Sequence, residues 1–171
     1  MITKQTPMKE ILEIATECDS CGYCCTHGAG FLEKEDIPRM AKFLEVTEEQ
    51  LKKVFLEESE IFHTKAFKPR LIRKGKPFGV CIFYDEKAKC TIQKVKPLQC
   101  KAGNCRRQGE DLTIWFKLNY FLNLDDPQSV RDYSVYLDSG GKTIPGGKLE
   151  ELIPDKTKLK EILNYGELKH D

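Results

Sequence analysis

Apolar positions recur at helical spacing toward both ends of the chain and at strand-like spacing in its middle. Near the start, Met8, Ile11, Leu12 and Ala15 fall on one helix face, because 3.6 residues per turn brings i, i+3, i+4 and i+7 together. Thr6-Pro7 ahead of them predicts an N-cap followed by a proline whose missing N–H costs nothing at the first helical position. Ile37, Met40, Ala41 and Leu44 repeat the pattern, with Asp36 as the predicted cap. A third helix opens at Thr47, where Gln50 completes a capping box and Leu51, Val54 and Phe55 form the core face. Late in the chain, Trp115, Leu118 and Leu122 predict a helix. Asp126-Pro127 starts another, with Val130, Tyr133 and Leu137 inward and Gly140 as its stop. Asp155 caps a last helix, whose apolar residues are Leu159, Ile162 and Leu163 and which ends at Gly166.

The middle follows a different period. Residues 67–73 and 79–84 read as short strands separated by Lys74-Gly75-Lys76-Pro77. Asp85 and Glu86 open the next turn, and Cys90-Thr91-Ile92 reads as a third strand. The fold class is therefore α+β: a small irregular domain of short strands and helices, plus a helical C-terminal extension; the cysteines considered below add the expectation that it is metal-stabilised. Residues 1–107 are expected to form the cysteine-bearing domain, with residues 108–171 packed on it as a mostly helical extension.

Composition limits the classes of function. The chain has 171 residues, about one domain, and its 40% apolar content is enough for a core. The longest unbroken apolar stretch, residues 80–84, is far too short to cross a bilayer. Residues 1–10 have no apolar h-region, so no secretion signal is read and a cytoplasmic location is expected, where thiols stay reduced. The formal net charge of +1 hides strong segregation: residues 1–61 carry −6, residues 62–107 carry +11 and residues 108–171 carry −4. The acidic first segment would repel phosphate, which argues against reading its helix pair as a DNA-binding motif.

The eight cysteines carry the chemistry. Cys18, Cys21, Cys24 and Cys25 fall within eight positions, and Cys81, Cys90, Cys100 and Cys105 follow at wide intervals. A two-residue gap lets one tight turn aim two sulfurs at one ion. Three cysteines at successive two-residue gaps resemble the start of a bacterial ferredoxin pattern, but Cys25 directly after Cys24 breaks that pattern. The later group has no two-residue gap, so its thiols must converge from separate strands and turns. Adjacent side chains usually point apart in extended or turn backbone, so Cys24 and Cys25 are expected to serve different sites, or one to ligate and the other to pack. Four thiols so close together are too dense for core packing alone, and disulfides would need an oxidising compartment.

Cys18-Asp-Ser-Cys21-Gly-Tyr-Cys24-Cys25 resembles the signature of the CxxCxxCC cysteine-cluster family, the YkgJ-like zinc- or iron-chelating domain. Its later half is similar too: Cys81-Ile-Phe-Tyr84, Cys90-Thr-Ile92, Lys96-Pro97-Leu98-Gln99-Cys100-Lys101 and Cys105. Lys96 and Lys101 stand where the family usually has Arg, and Ala102-Gly103-Asn104 replaces the usual aromatic-Pro approach to the last Cys. The resemblance covers about residues 15–107 and implies metal binding through Cys18, Cys21, Cys24, Cys25, Cys81, Cys90, Cys100 and Cys105. Zinc and iron both accept thiolates, and an all-thiolate set with a ferredoxin-like triple favours an iron–sulfur cluster over zinc. His27 is read as lying beside the metal loop rather than ligating.

The basic segment has two readings. The plainer one has its cations offset the negative charge of metal-bound thiolates. In the other, a zinc-stabilised module uses Lys65, Lys68, Arg70, Arg73, Lys74, Lys76, Arg106 and Arg107, interleaved with Phe67 and Phe78, to hold a protein or RNA partner. The plainer reading is favoured. The sequence contains no nucleophile elbow, P-loop, dinucleotide fingerprint or His-Glu-x-x-His motif, so redox or sensing chemistry at the metal is the functional expectation.

Overall fold

The computed structural model describes residues 1–16, 19–103, 105 and 107–164. Helix α1 spans Met8–Ala15 and buries Ile11 and Ala15, two of the four predicted face residues. Pro7, not Thr6, stands at the N-cap. Thr6 is instead buried, and its carbonyl accepts a 3.0 Å hydrogen bond from Trp115 Nε1. Helix α2 is a single turn, Tyr23–His27, and α3 spans Asp36–Phe43 with Met40 and Ala41 in the core.

Asp36 does not cap its own helix as the sequence predicts. It is wholly buried and bridges two segments, its Oδ2 accepting from Glu33 N and from Leu98 N, each at 2.9 Å. Arg39 neutralises it and also donates to the Lys96 carbonyl at 3.2 Å. A buried carboxylate is tolerable only when paired and hydrogen-bonded in this way. The result pins α3 to the segment that leads into Cys100.

The capping box at Thr47 forms as predicted and opens α4, Glu48–Gln50. The chain then widens into a π-turn over Leu51–Phe55. The wider turn rotates the face: Leu51 is buried, but Val54 is 49% exposed, contrary to the helical pattern.

An antiparallel hairpin follows, β1 (Leu56–Ile61) with β2 (Thr64–Pro69), in the register Leu56↔Pro69 to Ile61↔Thr64. The pattern analysis misses β1, since three of its six residues are Glu. The two turn residues, Phe62 and His63, both have positive φ, a conformation costly for bulky side chains. Tertiary contacts hold it: Phe62 packs edge-on against Tyr133 and Tyr136, Thr64 Oγ1 donates to Phe121 O at 2.6 Å, and His63 Nδ1 donates to Asp126 Oδ2 at 2.6 Å. Two small antiparallel pairs come next: β3 (Leu71–Ile72) with β4 (Val80–Cys81), then β5 (Tyr84–Asp85) with β6 (Lys89–Cys90).

Helix α5, Leu98–Ala102, is one turn; α6 (Gly109–Tyr120) and α7 (Pro127–Asp138) are the long helices. Asp126 caps α7 by accepting from Gln128 N at 3.0 Å, Val130 and Tyr133 face inward, and Gly140 follows at φ 89°, as the sequence predicts. A short α8 (Leu149–Leu152) precedes α9 (Lys156–Leu163), which Asp155 caps through Thr157 N and Lys158 N. Gly166, the predicted end of that helix, lies outside the described residues.

Two main cores result. One joins α1 and the N-terminal Ile2 to α5, α6 and α7 through Ile11, Ala102, Leu112, Phe116 and Tyr133. The other collects Met40, Leu51, Leu56, Phe83 and Ile92 beneath the strands. The architecture is α+β.

The hairpin also resolves the charge segregation. Its acidic strand faces its basic one: Glu57 chelates the Arg73 guanidinium through both oxygens and lies 3.6 Å from Lys68 Nζ, and Glu58 lies 3.6 Å from Lys65. The hydrogen bonds from Arg73 hold the Glu57 carboxyl down to about 2. A group whose folded pKa is depressed stabilises the fold above its unfolded value, and that stability is lost as pH falls through the window between the two. Wild-type stability is therefore expected to fall between about pH 4.5 and pH 2 by an amount that Glu57→Gln does not share. After allowance for solvent screening, the difference is about 1 kcal/mol, read from urea melts of both proteins across that range.

Candidate metal centre

Seven described cysteines, all free thiols, come from six segments and line one cavity of about 420 Å³. Cys21 lies in the loop before α2, and Cys24 and Cys25 lie on α2. Cys81 is on β4, Cys90 on β6, Cys100 on α5, and Cys105 in the bend between α5 and α6. Thiols separated by some 80 positions in sequence thus share one enclosure. Cys18, the remaining predicted ligand, lies outside the described residues.

Backbone geometry explains how each sulfur is aimed. Ser20 and Gly22 both take positive φ, 55° and 83°, which reverses the chain around Cys21. Gly22 is required twice over, since a Cβ there would also lie 2.7 Å from Tyr84 Cε2. Cys24 and Cys25 occupy adjacent positions on one helical turn and both line the cavity. On the helical turn their sulfurs share a hydrogen bond, with Cys25 as donor, which lowers Cys24 to about 6 and raises Cys25. Helical backbone sets such neighbours about 100° apart.

Cys100 is the most tightly fitted. Gly30 N donates to its sulfur, while the next residue, Phe31, donates its N–H to Gln99 Oε1 at 2.6 Å. A Cβ on Gly30 would stand 2.5 Å from Cys100 Sγ. Leu32 N then bonds Phe67 O at 2.8 Å, so the 28–32 segment ties the early cysteine loop to both the hairpin and the Cys100 helix.

The electrostatics pull in two directions. Burial pushes Cys81 up to about 11 and Cys100 to about 12, and raises Cys90. Yet each of these sulfurs accepts a backbone N–H: Phe83 at Cys81, Ile92 at Cys90, Gly30 at Cys100. N–H donors favour an anionic sulfur, and Lys96 acts the same way on Cys24 and Cys90. Burial that opposes bare thiolates at Cys81, Cys90 and Cys100, beside N–H groups that favour them, suits sulfur whose charge is neutralised by a cation. The donor set therefore fits a thiophilic metal. Among the described residues, however, no three Cys, His, Asp or Glu side chains are gathered as a ready-made single-ion shell.

His27 also borders the cavity. Its Nδ1 is engaged by the Tyr23 carbonyl at 3.0 Å and Thr26 Oγ1 at 2.9 Å, and its ring stacks between Tyr23 and Phe78. The sequence analysis misses Gly30, Gln99 and Asp36 as residues that place Cys100; a Gly and a Gln carry no periodic signal, and Asp36 reads as a cap. Of the cations offered to a nucleic acid, Lys65, Lys68 and Arg73 are paired with glutamates and Arg70 donates to Lys53 O, while Lys74 and Lys76 stay exposed. Arg106 lies outside the described residues.

Residues 17–118, more than half of the chain, match the model of a family described as "CxxCxxCC: Putative zinc- or iron-chelating domain". No curated protein and no solved structure matches. No helix among the described residues is long and apolar enough to cross a membrane.

Gly30→Ala is expected to displace Cys100, costing about 1–3 kcal/mol as overpacking does and lowering bound metal per chain by half or more. Gly28→Ala, two positions away with nothing within 4 Å of the added carbon, is expected to leave both unchanged. Metal analysis and melting temperature compare the two.

Proposed function

The chain belongs to the CxxCxxCC family, a zinc- or iron-chelating domain, and on that ground we propose that it holds an iron–sulfur cluster through its eight cysteines and serves a redox or sensing role. Cys18, Cys21, Cys24, Cys25, Cys81, Cys90, Cys100 and Cys105 are the ligand set. The observation that carries the reading is the convergence of seven thiols from both halves of the sequence on one cavity.

The choice of cluster over a single zinc rests on the number of sulfurs. One zinc draws four sulfurs to about 2.3 Å from a common point. Here seven thiols line a space of about 420 Å³, more sulfurs than the four a single zinc takes. When bound, an iron–sulfur cluster supplies one-electron exchange. The protein's own contribution is to exclude water with Ile92, Pro97 and the Gly28–Gly30 backbone, and to donate N–H groups to Cys81, Cys90 and Cys100. Lys89 and Lys96 at the wall offset the excess negative charge of the thiolates. This favours the plainer role for the basic segment.

The metal is also proposed to be structural. Thiolate zinc sites contribute about 10–16 kcal/mol in small peptides, against a net stability of about 5–15 kcal/mol for a whole domain. Protein purified without oxygen is expected to be brown, to release acid-labile sulfide and to carry iron. Removal of the metal by chelator is expected to lower the melting temperature and the circular dichroism amplitude. A colourless protein with stoichiometric zinc would replace the cluster by zinc, and unchanged melting after stripping would overturn the structural role.

A further inference from the structure

Three large apolar side chains stand in solvent beside the cavity. Tyr23, the first residue of α2, is 63% exposed, and Phe78 and Ile72 of the β3–β4 hairpin are 46% and 51% exposed. Apolar residues scattered singly over a surface need no explanation, but these are organised. The ring of His27, itself exposed, links two of them: its centroid lies 4.7 Å from that of Tyr23 and 5.9 Å from that of Phe78. Lys76 Nζ lies over the Phe78 ring, 5.6 Å from its centroid. The stack joins α2, which carries Cys24 and Cys25, to the hairpin whose second strand carries Cys81, and Tyr23 and His27 themselves border the cavity.

The hairpin loop is preset. Lys74 and Gly75 take consecutive positive φ, 47° and 79°, and Lys76 N donates to Arg73 O at 3.0 Å, which is the mirror-image turn that suits antiparallel strands. Gly79 then folds back on β3, where a Cβ would meet Ile72 O at 2.6 Å. Lys74, Lys76 and Phe78 are thereby displayed on one short loop, with little left to order when something binds. Among the described residues neither lysine is ion-paired, in contrast to Lys65, Lys68 and Arg73 of the same segment.

We propose that the face formed by Tyr23, His27, Ile72, Lys74, Lys76 and Phe78 is the docking surface for an acidic protein, which it seats against the metal centre. Aromatic and aliphatic anchors beside a polar edge are the anatomy of a protein interface, and unpaired lysines call for carboxylates on the partner. These lysines are not Lys89 and Lys96, which offset thiolate charge at the cavity wall. A single-stranded nucleic acid fits less well: its bases need open ring faces, whereas Phe78 already has His27 and Lys76 over it, and two lysines neutralise few phosphates. That the partner meets a metal centre rests on the function proposed above; the docking itself does not.

The probe is a glutamate-rich random copolymer of glutamate and tyrosine, titrated at low ionic strength into the full, isotope-labelled chain loaded with zinc, with poly-uridylate titrated in parallel. The largest amide shifts in the nuclear magnetic resonance spectrum are expected at residues 72–78 and 23–27. Binding is expected to weaken about ten-fold at physiological salt and about ten-fold when Lys74→Glu and Lys76→Glu are combined. Zinc per chain and melting temperature are expected to stay unchanged in that variant, since neither lysine borders the cavity. Phe78→Ala is expected to weaken binding as well; where it also loosens α2, the lysine variant and the salt dependence decide. Shifts centred on another surface, undiminished affinity after charge reversal, or tighter binding of poly-uridylate at the same residues overturns the proposal. A chain that docks the copolymer here but binds neither zinc nor iron upholds the surface and overturns the function proposed above, whereas a metal-loaded chain that ignores the copolymer does the reverse.

Discussion

The structure depends on a conflict at sulfur. Burial around Cys81, Cys90 and Cys100 favours the neutral thiol, while the N–H groups of Phe83, Ile92 and Gly30 aim at the same atoms and favour the thiolate. In a metal-free protein the donors are partly wasted and the burial opposes ionisation. A bound cation reconciles the two, because it neutralises the charge that burial opposes and leaves the donors pointing at anionic sulfur. The loops around the cavity follow that requirement: Gly30 is glycine because its backbone must approach Cys100, and Gly22 because the chain must reverse against Tyr84.

Around this centre, charge is arranged by pairing rather than by composition. The acidic first third and the basic middle meet at β1, where Glu57 engages Lys68 of β2 and Arg73 just beyond β3. A second pairing, Asp36 with Arg39, is buried and joins α3 to the Lys96–Leu98 stretch by hydrogen bonds to the Lys96 carbonyl and the Leu98 amide. Together they leave lysines chiefly near the cavity and on the 74–76 turn. Glu57 and Glu58 thus offset two of the charges in the segment with the greatest positive charge, and Lys74 and Lys76 stay exposed on its turn.

Where local chemistry decides the backbone, the elements were legible. The Thr47 capping box, the Asp126-Pro127 start and the Asp155 cap all form, because each satisfies helix-end N–H groups with residues a few positions away. Where tertiary contact decides, the pattern misled. Val54 turns outward because a π-turn rotates the helix face, and Phe62-His63 occupy a turn whose usual residues are Asn and Gly because Phe62 is captured by Tyr133 and Tyr136. The need for the later cysteines to converge from separate elements was legible, and the seven described thiols line one cavity. The residues that place them, Asp36, Gly30 and Gln99, act through contacts about 60 to 70 positions away and leave no local trace.

The two helices that carry ligand candidates are the shortest kind. Helices α2 and α5 have five residues each, too few to repay the cost of nucleation in isolation. Their order must come from what they pack against. For α5 that is α1, α6 and the Asp36 clamp. For α2 it is β4, the aromatic stack of Tyr23 with His27 and Phe78, and the cavity itself. Helix α5 is thus anchored on three sides without the metal, whereas α2 has little apolar burial and no capping side chain. Cys100 is accordingly held by packing on α1 and α6 and by the Asp36 hydrogen bond to Leu98, whereas the Cys24–Cys25 turn leans on β4 and its own aromatic stack.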